Sequence, residues 1–327
     1  MLLVTEVTIP FQPPVDPPAL EARREMRSAE QIAMLNGEAA FELYCELSGL
    51  HWALGECDAA LETLQKALHW ASQNNLLGPI GYLLSLQGAT LCYIGQYAAA
   101  YEMFIQAELI FRQGGDELGM AWQHNLMARE YHLDLGNFTK AHHQAATAAP
   151  IFRAHNIWHA YTESLLAQAH AMLGMGEPRR AADALKQADG LIIERNLVWL
   201  APEYHWLRAR AALAEGTPRL AAKQCYSGLN AISNGGDLRV LSPLYVTLGK
   251  ALEPDRGQQA AAQDALERAL MAAQGRARSL HLAQAYLAAG LHLKRYSQLL
   301  TLRARGSGYL YEAERRYKAL GLRMPEA

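Results

Sequence analysis

The 327-residue chain carries none of the short motifs that announce common catalytic or cofactor chemistry. There is no GxxxxGKS or GxxxxGKT loop to cradle phosphates, no GxGxxG turn after a strand, no GxSxG elbow, no HExxH helix and no paired-cysteine zinc knuckle. Cysteine is scarce. Cys45, Cys57, Cys92 and Cys225 form no CxxC pair, which argues against a disulfide framework and for free thiols used as small apolar packers. No run reaches the ~18 uncharged apolar residues that a membrane helix needs. The start, MLLVTEVTIPFQPP, lacks a basic flank and meets Glu6 and Pro10 too early for a signal peptide, so the expected compartment is the cytoplasm. Among twelve histidines, His155 with His159 and the pair His142-His143 each lack a third ligand at helical spacing. No metal and no cofactor is expected.

What the chain does have is a ladder. Gly55, Gly95, Gly136, Gly176, Gly216 and Gly257 recur at a near-constant interval of about 40 residues. Five residues after each stands an alanine: Ala60, Ala100, Ala141, Ala181, Ala221 and Ala262. Seven further on comes a small residue again (Ala67, Ala107, Ala148, Ala188, Gly228, Ala269), with Leu64, Phe104, Ala145, Leu185, Cys225 and Leu266 between the two sets. Six coincidences in register make an internal repeat, and each unit of such an array packs only on its neighbours. A composition rich in Ala and Leu, 51% hydrophobic and modest in β-branched residues, favours helix.

One unit shows how. In residues 41–74, Leu43, Leu47, Leu50 and Leu54 recur at three- and four-residue steps and mark a first helix. Gly55 ends it, Asp58 can cap the next, and Ala60, Leu64, Ala67 and Leu68 line a second. The alanines let two helices approach closely. Asn74 and Asn75 close the unit. The second unit repeats this with Gly88, Gly95, Tyr97, Ala100, Phe104 and Ala107, closed by Gly114-Gly115-Asp116. That set resembles the tetratricopeptide repeat, which places small residues in both helices, Gly and an aromatic at the turn, and Ala-x3-Phe in the second helix. Pro178 and Pro218 replace the turn aromatic in the fourth and fifth units, a residue suited to the first turn of a helix. With units longer than the usual tetratricopeptide repeat, the chain also looks like the tetratricopeptide-like sensor region of MalT-type bacterial regulators, over roughly residues 38–321.

The expected fold is therefore all-α: an α-solenoid, a right-handed superhelix of about seven tetratricopeptide-like helix-turn-helix repeats. Residues 1–19, with five prolines, read as an extended arm, and residues 20–327 as the solenoid. Units fall near 41–80, 81–120, 121–160, 161–200, 201–240, 241–277 and 278–327, the last capping the array. Ala313, Tyr317 and Leu320 restore the second-helix pattern there, but Ala313 follows Ala262 at well over one repeat length. An insertion near 296–309 is expected to extend the first helix of that unit or lengthen its turn. Charge is uneven as well. Ten Lys or Arg against three Glu give residues 276–327 a charge of +7, while the whole chain carries −2. That basic end is the one hint of nucleic acid, with the solvated face of a cap as the preferred reading.

The resemblance implies that first helices line a concave surface. Periodicity then lists the inward residues as Trp52, Tyr82, Ser85, Tyr93, Asn125, Arg129, His132, Glu163, His170, Trp206, Arg210 and Lys250. Asn125, Arg129 and His132 stand at i, i+4 and i+7 and share a helical face. Arg129 flanked by aromatics suits a carboxylate-bearing peptide tail or a stacked sugar. The expected function is a non-catalytic scaffold that holds a protein or peptide partner, in bacterial regulation. A small-molecule sensor of a MalT-like system is the alternative, and an enzyme the least favoured reading. No membrane partner is expected, and the oligomeric state stays open.

Overall fold

A computed structural model describes residues 37–54, 56–234, 238–276 and 279–325; the expected arm 1–19 and the rung at Gly55 lie outside them. Among the described residues there are fourteen α-helices and no strand. They are α1 (Gly37–Leu54), α2 (Cys57–Gln73), α3 (Leu77–Tyr93), α4 (Tyr97–Gly114), α5 (Glu117–Leu126), α6 (Phe138–Ala154) and α7 (Trp158–Gly174). There follow α8 (Pro178–Glu194), α9 (Ala201–Ala214), α10 (Pro218–Ser233), α11 (Leu241–Leu252), α12 (Gln259–Arg276), α13 (Ser279–Tyr296) and α14 (Leu300–Ala319). Odd-numbered helices are the first of each pair. The chain forms two compact units that meet in sequence at Ala171 and Met172, within α7. In the N-terminal unit α1 packs on α2, α3 on α4 and α5 on α6, and α3 also touches α1 and α5. In the C-terminal unit α9 packs on α10, α11 on α12 and α13 on α14, and α11 also touches α9 and α13. Consecutive pairing with odd-to-odd contact is the helical-repeat architecture expected from the ladder.

The left-handed residues set the step. Asn75, Gly95, Gly115, Gly136, Asn156, Gly176, Asn196 and Gly216 all have φ between +53° and +86°. They follow one another at an even interval of about 20 residues, half the repeat. Each repeat is thus two near-equal halves, and each half is a helix closed by one left-handed residue. Gly takes that conformation freely, and Asn is the side chain that tolerates it best. The residue after each closure donates its N–H to the carbonyl five positions back: Gln96 to Leu91 at 2.9 Å, Asp116 to Phe111 at 2.9 Å, Leu197 to Ile192 at 2.9 Å, Thr217 to Ala212 at 2.8 Å. This satisfies carbonyls a helix end would otherwise leave orphaned. One half, between Gly115 and Gly136, is longer than the others by a single residue. Its helix passes into a π turn, Met127–His132, where Leu133 N–H reaches back to Ala128 O at 3.1 Å. The extra residue is absorbed there as a wider turn.

Gly257 is different. It lies in a one-turn 3₁₀ segment, Arg256–Gln258, its N–H held by Asp255 Oδ1 at 2.9 Å, and its backbone is not left-handed. The sixth rung shares the spacing of the others but not their conformation.

The alanine ladder is core: Ala60, Ala100, Ala141, Ala181, Ala221 and Ala262 are all 0% exposed. Phe104, Phe111, Phe152, Leu64 and Leu83 fill the N-terminal unit beside them, and Leu207, Leu244 and Cys225 the C-terminal one. Small residues on odd helices make the close approaches possible. A Cβ on Gly88 would sit 3.0 Å from the Phe104 ring, and one on Gly249 only 2.6 Å from Leu266. Pro178 and Pro218 open α8 and α10, where a missing N–H costs nothing.

The final pair moves the expected insertion. Gly249 faces Leu266 and the Ala262 carbonyl; Gly290 faces Leu310 and the Gly306 carbonyl in the same way. Gly306 is therefore the counterpart of Ala262, and the buried Ala313 and Tyr317 are counterparts of Ala269 and Ala273. The excess over the usual step is then only about one helical turn. It is added at the start of the 20-residue α14, while α13 and the connection after it are not lengthened.

Candidate functional site on the odd-numbered helices

Nine of the twelve expected residues lie in the N-terminal unit, on α1, α3, α5 with its π turn, and α7. Trp52 and Tyr93, one repeat apart, meet edge to face at 5.7 Å between ring centroids. Asn125 and Arg129 come together on Glu163: Asn125 Nδ2 donates to Glu163 Oε2 at 3.3 Å and Arg129 Nη1 to the Glu163 carbonyl at 3.3 Å. Ser164 Oγ donates to Asn125 Oδ1 at 2.9 Å, and the buried Glu130 carboxylate lies 3.9 Å from Arg129 Nε. The result is a buried network in which every named charge has an opposite charge or a dipole beside it.

Three residues point elsewhere. Tyr82, 3% exposed, packs between Phe41 and Phe111 in the core. Ser85 is buried and returns its hydroxyl to the Gly81 carbonyl at 3.0 Å. His132, at the end of the π turn, is 5% exposed and its ring meets Tyr131 at 5.2 Å. The wider turn breaks the i, i+4, i+7 geometry that would have set His132 beside Arg129. Burial, with Lys140 adding to it, pushes its imidazole down to about 4.

The other three residues lie in the C-terminal unit. Trp206 Nε1 donates to Thr247 Oγ1 at 3.1 Å, tying α9 to α11, and the Arg210 guanidinium lies over the Trp206 ring at 5.1 Å. Arg210 has neither hydrogen bond nor carboxylate partner among the described residues, and the same holds for Lys250 on α11. Arg210 is half-buried and Lys250 exposed. Even so, burial lowers the Arg210 guanidinium to about 10 and lowers the Lys250 ammonium, with Arg210 adding to the Lys250 effect and Glu253 opposing it. The Glu253 carboxylate is itself engaged, 3.1 Å from His292 Nδ1.

Sequence reasoning missed Glu130, Ser164, Thr247 and the Glu253–His292 pair. The repeat register could have found most of them, because the partners stand almost one repeat apart: Ser164 after Asn125, Thr247 after Trp206 and His292 after Glu253. The same register reveals a basic series. Arg129, His170, Arg210 and Lys250 each follow the last at one repeat length, on the π turn after α5 and then on α7, α9 and α11.

Elsewhere the chemistry is quiet. All four cysteines are buried free thiols, with burial pushing Cys45 and Cys225 up to about 12 and Cys57 to about 11. Among the described residues no three His, Cys, Asp or Glu side chains gather to hold a metal, and no helix is long and apolar enough to cross a membrane. An open groove of about 1040 Å³ lies on α10 and the turn after α11, lined by Pro218, Lys223, Tyr226, Leu252, Pro254 and Arg256; none of the twelve residues lines it. In the basic end, Arg305 pairs with Glu267 at 3.2 Å and Arg315 with Glu312 at 2.7 Å.

No family model matches the chain, and no curated protein matches it either. Solved structures do. A crystal structure of a Rap protein complexed with competence and sporulation factor aligns over 93% of this chain and 88% of that one, with a TM-score of 0.66 and 13% identity. At that identity the likeness concerns the fold, and the fold is the tetratricopeptide-like helical repeat.

Proposed function

We propose that the odd-helix face of each unit holds an extended segment of a protein partner, making the chain a non-catalytic scaffold of bacterial regulation that works in the cytoplasm. Register carries the reading. Side chains one repeat apart meet between neighbouring odd helices, as Trp52 meets Tyr93, Asn125 meets Glu163 and Trp206 meets Thr247. A segment crossing such helices finds a fresh polar or aromatic contact at each step. The similar Rap structure, held in complex with competence and sporulation factor, supports a fold of this kind carrying a partner. Trp52, Glu163, His170, Trp206, Arg210 and Lys250 are the proposed contacts, with the buried Tyr82, Ser85, Tyr93, Asn125 and His132 and the network residue Arg129 supporting them from behind. A thiolate nucleophile is disfavoured because burial pushes the Cys45, Cys57 and Cys225 thiols up to about 11 or 12 and holds them protonated.

Selection of linear peptides displayed against the full chain tests this. A shared consensus should emerge, and Trp206→Ala or Arg210→Glu should weaken the selected peptides by about tenfold, roughly 1.4 kcal/mol. If no peptide is selected while a small metabolite raises the melting temperature, the sensor alternative replaces the scaffold.

A further inference from the structure

The even-numbered helices of the C-terminal unit carry a surface of their own, at the one rung where the closure is irregular. After Gly216, Thr217 N–H reaches back five positions to the Ala212 carbonyl at 2.8 Å and draws the chain onto the end of α9. After Gly257, Gln258 N–H instead bonds the Asp255 carbonyl three positions back at 2.9 Å, inside the turn itself. The open groove of about 1040 Å³ lies between this turn and α10. Its charge breaks the repeat too. Lys223 on α10 stands where α8 has Asp183 and α12 has Asp264, and Arg256 stands where the preceding turn has Glu215. Arg219, Lys223, Tyr226 and Asn230 fall at i, i+4, i+7 and i+11, a basic and aromatic stripe along one face of α10 over about 16 Å. Arg219, Lys223 and Arg256 are exposed and make no ion pair or hydrogen bond among the described residues. The acid lining the groove, Asp255, has its Oδ1 on the Gly257 N–H at 2.9 Å. Buried Ala222 and Leu252 give an apolar floor, and Tyr226 is 55% exposed beside it.

We infer that this groove is a second interaction surface, which takes an acidic segment of a protein partner with an aromatic or aliphatic side chain seated against Tyr226 and Leu252. A rim of unpaired cations over an apolar floor is complementary to that chemistry. The groove is too open to enclose a small molecule, whose sites bury most of the ligand surface. A continuous polyanion needs neutralising charge along its whole length, and here the basic stripe ends with α10, because Asp183 and Asp264 replace Lys223 on the neighbouring even helices. None of the contacts proposed on the odd-numbered helices lines the groove, so the two surfaces can be occupied together.

Random peptides of about twelve residues, displayed against the full chain at physiological ionic strength, are selected in parallel on the wild type, on Lys223→Glu/Arg256→Glu and on Trp206→Ala. Peptides lost on the double variant but kept on Trp206→Ala should be acidic, with an aromatic or aliphatic anchor. One of them, labelled with fluorescein, should bind the double variant about tenfold more weakly, Tyr226→Ser several-fold more weakly and Trp206→Ala as tightly as the wild type. The substituted groove positions are exposed, so melting temperatures should stay unchanged. If the double variant does not fold, Lys223→Gln and Tyr226→Ser carry the comparison. No groove-dependent peptides, groove-dependent peptides that are not acidic, or undiminished binding in both groove variants overturns the inference. Displacement of the labelled peptide by single-stranded DNA or phosphatidylglycerol vesicles at lower concentration than by the unlabelled peptide overturns the choice of a protein segment. Peptides that all depend on Trp206 keep the odd-helix scaffold and remove the groove; peptides that depend on the groove alone do the reverse.

Discussion

Arg129 and Arg210 occupy the same register of the repeat, two units apart, and the protein treats them in opposite ways. Around Arg129 the N-terminal unit supplies the Glu163 carbonyl at 3.3 Å and the Glu130 carboxylate at 3.9 Å, and Asn125 and Ser164 extend the network. Around Arg210 the C-terminal unit supplies an indole face and a second cation. One arginine is bound into the architecture by its own chain. The other is placed and left open. The contrast shows why sequence register alone cannot separate a structural charge from a binding charge: what distinguishes them is whether the surrounding chain supplies an acid and an acceptor.

Removing the network should hurt most. Asn125→Ala deletes the hydrogen bonds to Glu163 and Ser164 at a site that is 0% exposed, and should cost about 2–3 kcal/mol in urea unfolding. Thr247→Val, which removes the acceptor of Trp206 Nε1 in the C-terminal unit, should cost only about 1 kcal/mol. Equal costs would erase the contrast.

Acid should then act on the N-terminal unit. His132 is pushed down to about 4, and burial lowers His124 and His159 in the same unit. A histidine lowered on folding is protonated first in the unfolded chain, so stability falls as pH drops from about 6.5 towards 4. For His132 the full loss is about 2–3 kcal/mol. Hydrogen exchange at about pH 7 and about pH 4.5 should show residues 37–171 loosening, with His132→Asn damping the change. An undamped response in that variant would remove His132 from the account.

The smallest effects concern the closures. Gly95→Ala puts a side chain at φ +86° and should cost about 1 kcal/mol, whereas Asn196→Gly at φ +53° should change stability by only a few tenths of a kcal/mol in urea unfolding. A large loss at Asn196 would mean that its side chain does more than tolerate the turn.

The paired-helix fold was legible because its constraints are steric and repeat. Ala60 through Ala262 mark helix contacts that admit no larger residue, and Gly95 through Gly216 mark left-handed closures. What escaped was local. Gly257 keeps the spacing while Asp255 holds it in a 3₁₀ turn, and Ala313 looked like the first alanine of a unit when Gly306 holds that place. A one-letter pattern cannot tell which small residue faces the neighbouring helix. The candidate face was legible as a set of positions, but His132 left it because one added residue widened a turn. The state of Arg210 depends on what α11 does not supply, and no periodicity records that.

The most direct measurement is the melting temperature of Arg210→Met beside that of Arg129→Met, without added ligand. The two melting temperatures should move in opposite directions. Losing Arg210 relieves an uncompensated charge and should stabilise the chain by about 1–3 kcal/mol, while losing Arg129 removes the cation beside Glu130 and the donor to the Glu163 carbonyl and should destabilise it by a similar amount. Destabilisation by both substitutions would show that Arg210 is architectural too, and would contradict the claim that it is kept for a ligand.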